Sequence, residues 1–70
     1  MNGKTVFEIF KSYFPKLTDE VEIWFINSKN SIRVKMINLQ ELIFTYNSKY
    51  DWRLETINSY IKRTKGGSKM

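Results

Sequence analysis

The sequence contains neither cysteine nor histidine, and those two absences remove much of the chemistry open to a small protein. Without cysteine there is no disulfide framework and no thiolate metal site. Without histidine, the commonest metal ligand and the commonest general base are both missing. Alanine is absent too, glycine occurs three times and proline once. No stretch approaches the roughly 20 consecutive apolar residues needed to cross a bilayer. The opening Met1-Asn2-Gly3-Lys4 does not lead into the apolar run of a secretory signal. These gaps predict a soluble, cytoplasmic protein with no cofactor, no metal and no membrane partner.

What is present is apolar and aromatic. The chain has 70 residues, 41% hydrophobic and 16% aromatic. At that length one domain forms, and folding buries about 60% of the unfolded chain's surface. Five Phe, two Trp and four Tyr supply large side chains for a core that no disulfide reinforces. Nine Lys, eight Ile and six Asn are residues with AT-rich codons. That bias points to a low-GC bacterial genome and to a phage or another mobile element as the origin.

Residues 5–14 read as a helix. Thr5 and Glu8 have the spacing of a capping box, and Val6, Phe10 and Tyr13/Phe14 recur at helical intervals. Pro15 stops it, since proline lacks an amide proton and disfavours helical geometry in the residue before it. Residues 20–26 and 32–37 alternate as a β-hairpin around Asn27-Ser28-Lys29-Asn30-Ser31. Residues 41–46 fit helical spacing as well, but the β-branched and aromatic run Leu42-Ile43-Phe44-Thr45-Tyr46 favours a strand.

An internal echo supports the strand. Asn27-Ser28-Lys29 is followed by Asn47-Ser48-Lys49, and polar/apolar alternation continues after each. A second hairpin over 41–46 and 51–56 follows. Before the turns the apolar phase does not match: Leu42, Phe44 and Tyr46 align with Glu22, Trp24 and Ile26, which argues against true duplication. Residues 57–64 read as a short helix, with Ile57, Tyr60 and Ile61 on one face, Thr56 or Asn58 as cap, and Gly66-Gly67 as terminator. The predicted fold class is α+β: one small domain over residues 1–64, with an N-terminal helix, a four-stranded antiparallel meander and a short C-terminal helix. Residues 65–70 read as a flexible basic tail. The first helix should cover a sheet face of Val21, Ile23, Phe25, Ile32, Val34, Met36, Trp52 and Leu54.

Charge is concentrated at the end. The net charge is +5, and Lys62, Arg63, Lys65 and Lys69 carry most of the excess. The remainder is nearly neutral, which a uniformly basic nucleic-acid-binding domain would not be. On the face opposite the predicted core, Trp24 and Ile26 would lie beside Arg33 and Lys35, with Arg53 extending the patch. Trp and Arg dominate protein-binding hot spots. Trp24, Ile26, Arg33, Lys35 and Arg53 are therefore the candidate contacts for a protein partner or for self-association. The same face with the tail, through Arg33, Lys35, Lys62, Arg63 and Lys65, could instead meet nucleic-acid phosphates.

Catalysis has little to work with. Asp19, Glu20 and Glu22 cluster at a strand start with no defined partner, and every serine lacks a histidine base. Gly66-Gly67 leads into no helix, so it cannot be a phosphate-binding loop. The sequence thus predicts a non-enzymatic binding module working by protein–protein contact, with nucleic-acid binding as the alternative.

Overall fold

A computed structural model describes the backbone of residues 2–69 and the side-chain surroundings of residues 2–64. The element order is α1 (Gly3–Tyr13), α2 (Pro15–Thr18), β1 (Val21–Ser28), β2 (Ser31–Met36), β3 (Glu41–Ser48), β4 (Asp51–Thr56) and α3 (Ile57–Lys69). The strands form one antiparallel meander in the order β1-β2-β3-β4. The predicted class, element order and second hairpin are all present, and residues 41–48 are a strand.

The helix starts correct the sequence reading. α1 is capped by Asn2, not Thr5: the Asn2 side chain accepts the Thr5 amide proton at 2.8 Å. Asn is as good an N-cap as Thr, and moving the cap from Thr5 to Asn2 starts the helix three residues earlier. Glu8, freed of a capping role, pairs with Lys11 at 3.2 Å. Gly3 suits this start because its backbone lies against β1, where a Cβ would overlap Ile26 Cγ1. Pro15 ends α1 and then occupies the first position of α2, a place where its missing amide proton costs nothing. At the other end Thr56 is the capping residue of α3, its hydroxyl accepting from the Ser59 amide at 3.1 Å. α3 runs past Gly66-Gly67 to Lys69, beyond the predicted end at 64. The side chains of the predicted tail, residues 65–70, lie outside the described residues.

The two hairpins repeat one design. Each has a two-residue turn, Lys29-Asn30 or Lys49-Tyr50, preceded by a bulge in which Asn27 or Asn47 is the extra residue. None of these turn residues has positive φ. Such a turn mismatches the right-handed twist of the strands, and the bulge takes up the difference. In both, the bulged asparagine's amide donates to the side chain four residues on: Asn27 to Ser31 at 2.8 Å, Asn47 to Asp51 at 3.3 Å. Asn30 then donates to Asn47 at 3.1 Å, tying the two turns together.

β1 has a second bulge, and it decides which side chains are buried. Val21 pairs with Met36, but Ile23 pairs with Lys35, so Glu22 is an extra residue. A one-residue shift sends every later side chain to the other face. Trp24 and Ile26 therefore lie on the α1 side, opposite Val34 and Ile32, while Ile23 and Phe25 lie on the outer face. The predicted α1-side set is correct for Val21, Ile32, Val34, Met36, Trp52 and Leu54, and wrong for Ile23 and Phe25.

Between α1 and the sheet, Val6, Phe10, Ile32, Val34, Met36, Leu42 and Phe44 form the buried core. An aromatic layer surrounds it. Phe44 meets the rings of Phe10, Phe14, Tyr13, Tyr46 and Trp52, with centroids between 5.5 and 6.4 Å. α3 packs on β3 and β4 from the other side. Ile43, on the outer face, is only 1% exposed although it lies outside the α1-side core.

Candidate interaction surface

α3 covers only part of the outer face. Its Tyr60 hydroxyl accepts from Asn27 at 3.2 Å, and the same Asn27 amide donates to Ser31. Arg63 grips Glu55 with two bonds, Nε to Oε2 at 2.9 Å and Nη2 to Oε1 at 2.8 Å. The Glu55 side chain is 9% exposed. The Arg63 hydrogen bonds hold its carboxyl below the ordinary glutamate range. In turn the Glu55 carboxylate raises the Arg63 guanidinium. The Glu55 pair anchors α3 on β4, and the Tyr60 contact ties it to Asn27 near the turn end of β1.

Away from Asn27, the β1 side of that face is left open around Ile23 and Phe25. Ile23 is 47% exposed and Phe25 50%, and their cross-strand neighbours there are Lys35 and Arg33. Arg33 is tied diagonally to Glu41, its Nε donating to Oε1 at 2.6 Å. β1 is also an edge strand, so one row of its amide and carbonyl groups has no strand partner.

The predicted contact residues divide between the two faces. Arg33, Lys35 and Arg53 are on the outer face, while Trp24 and Ile26 are on the α1 side. Trp24 stacks on Phe7, ring centroids 4.8 Å apart, and is a structural residue. Ile26 sits against Gly3 at the start of α1. The apolar part of the outer patch is Ile23 and Phe25, which the alternation assigned to the core. A signal for them existed in the alignment of Trp24 and Ile26 with Phe44 and Tyr46, since Phe44 and Tyr46 also face α1. Of the candidate phosphate ligands, Arg33 and Arg63 are engaged by Glu41 and Glu55. Lys62 is exposed on α3, and the Lys65 side chain lies outside the described residues.

Other features offer less. A shallow hollow between Arg33, Leu39, Glu41, Thr56 and Ile57 contains the Arg33–Glu41 pair and the Thr56 hydroxyl that caps α3. Among the described residues no three acidic groups converge as metal ligands, and Asp19, Glu20 and Glu22 are exposed. Among the same residues no helix is long and apolar enough to cross a membrane. No protein family, curated protein or solved structure matches this chain.

Proposed function

We propose that this chain is a small, non-enzymatic binding module acting by protein–protein contact through the outer face of β1. The observation that carries this reading is the half-exposure of Ile23 and Phe25 on the part of the sheet that α3 leaves open. Two large apolar side chains beside Lys35 on an edge strand are suited to an apolar contact with a polar rim. Nucleic-acid binding has weaker support, because carboxylates already engage two of the cations it would use. A chain of this size also has little room for the deep pocket of an enzyme.

The test is photo-crosslinking in cells of the source organism, with a benzophenone side chain replacing Phe25 or, as control, Tyr50 at the second turn. A discrete protein adduct from position 25 and none from position 50 is expected. No adduct, or the same adducts from both positions, overturns the reading. Titration of labelled DNA and RNA at two salt concentrations covers the alternative. Strong, salt-sensitive binding would replace the protein-contact reading with the nucleic-acid one.

A further inference from the structure

We infer that the occupant of the open β1 surface is a second copy of this chain, joined edge to edge through β1; this rests on the protein-contact reading above. The two edges of the sheet differ. β4 carries Asp51, Arg53 and Glu55 on its outer face, charges of the kind that protect sheet edges from pairing. β1 presents the uncharged run Ile23-Trp24-Phe25-Ile26, bounded by the bulges at Glu22 and Asn27.

That run is self-complementary. Consider two β1 strands paired antiparallel about a two-fold axis through Trp24, so that Ile23 of each copy lies opposite Phe25 of the other. Residues opposite one another then point to the same face. Ile23 and Phe25 of one copy meet Ile23 and Phe25 of the other on the outer face, closing a four-residue apolar cluster. The two Trp24 side chains meet on the α1 side, and each lies diagonally beside the other copy's Ile26, a side chain that is otherwise 68% exposed.

Charge favours the same arrangement. Asp19, Glu20 and Glu22 lie at one end of β1 and Lys29 at the other, and none of the four forms an ion pair among the described residues. Antiparallel pairing brings the acidic end of each strand to the lysine end of the other. A parallel arrangement would set acid against acid. The product is a continuous eight-stranded sheet with β4 at both margins.

Sedimentation equilibrium of the full chain, from micromolar to millimolar concentration, tests this. A monomer–dimer equilibrium is expected. Phe25→Glu should weaken it about tenfold or more, as loss of a central apolar contact does, without changing the far-ultraviolet circular dichroism of the monomer. Lys29→Glu should also weaken it, and adding Glu20→Lys and Glu22→Lys should restore it. A wild-type chain that stays monomeric throughout overturns the inference, as does a dimer indifferent to both Phe25→Glu and Lys29→Glu. The crosslinking experiment separates the two proposals. An adduct from position 25 to a different protein, with a monomeric chain, rejects the second copy and keeps the protein-contact reading; no adduct removes both.

Discussion

The Trp24 indole lies on the Phe7 ring, centroids 4.8 Å apart and planes 11° from parallel. That contact joins β1 to the start of α1 and fixes which face of the edge strand is structural. Its neighbour Phe25 points the other way and is half exposed. Adjacent aromatics in one strand therefore have opposite duties, and their substitutions should separate. We predict that Trp24→Ala costs about 3 kcal/mol, the low end of the range for emptying a large aromatic site, because Trp24 is only partly buried. Phe25→Ser should cost well under 1 kcal/mol, within the range of exposed positions. Urea midpoints of both variants, measured at a concentration where the chain is monomeric, would show it. Equal losses would mean that the β1 phase is not the one described.

The first turn of α1 gives a second contrast. Asn2 supplies the cap through its bond to the Thr5 amide, and the Thr5 side chain supplies none. Asn2→Ala should lower stability by about 1 kcal/mol, the usual loss of an N-cap. Thr5→Ala should be neutral or slightly favourable, since Ala is the better helix former inside a helix. Thermal unfolding of the two variants side by side checks the assignment, and a larger loss from Thr5→Ala would contradict it.

Much of this fold is legible in the sequence because the relevant physics is local. Pro15 must end a helix, Asn-Ser-Lys recurs at both hairpin turns, and β-branched and aromatic residues around Ile43 and Phe44 favour a strand. The candidate surface was not legible by alternation, because alternation assumes an unbroken ladder. One extra residue at Glu22 reverses the phase of everything up to the next bulge. No property of a lone glutamate announces a bulge. The resolving information was comparative: the echo aligns Trp24 with Phe44 and Ile26 with Tyr46, and all four face α1 in the folded chain. The mismatch that seemed to argue against a repeat was the trace of the bulge. The helix start was ambiguous for a different reason, since Asn2 and Thr5 are both competent caps and tertiary contact with Ile26 favours the earlier one.

The β2–β3 connection stores strain that can be released. Leu39 has φ of 75°, in the left-handed region where a branched side chain crowds the backbone, and its side chain is 73% exposed. The bends around it are held by Gln40 N–H to Asn38 Oδ1 at 2.9 Å and Leu39 N–H to the Met36 carbonyl at 2.9 Å. Packing gives Leu39 little in return. Leu39→Asn should therefore stabilise the fold by about 0.5–1 kcal/mol, because Asn tolerates this conformation better. Leu39→Gly should gain less, since glycine also widens the unfolded ensemble. Urea unfolding of the three proteins should rank them Asn, Gly, Leu. A loss of stability in both variants would show that the Leu39 side chain makes a contact that matters.

The Glu55–Arg63 pair predicts a specific pH dependence. Two charge-assisted hydrogen bonds favour the ionised carboxylate, so folded Glu55 releases its proton at lower pH than unfolded Glu55 does. A carboxyl whose folded value is depressed contributes stability that is fully present above the unfolded value, about 4.3 for glutamate. That contribution disappears as pH falls through the lower folded value, because protonation then removes the acceptor that Arg63 grips. Glu55→Gln keeps the shape and deletes the charge, so the other carboxylates cancel between variant and wild type. Urea midpoints from neutral pH downward should show wild type ahead by a constant margin, closing below the unfolded value. Since the pair anchors α3 over Ile43, amide exchange of α3 residues within 57–64 should rise in the variant at neutral pH and converge with wild type in acid. A margin that does not change with pH would mean that the carboxylate charge contributes nothing, and that α3 is held by Tyr60 and Ile43 alone.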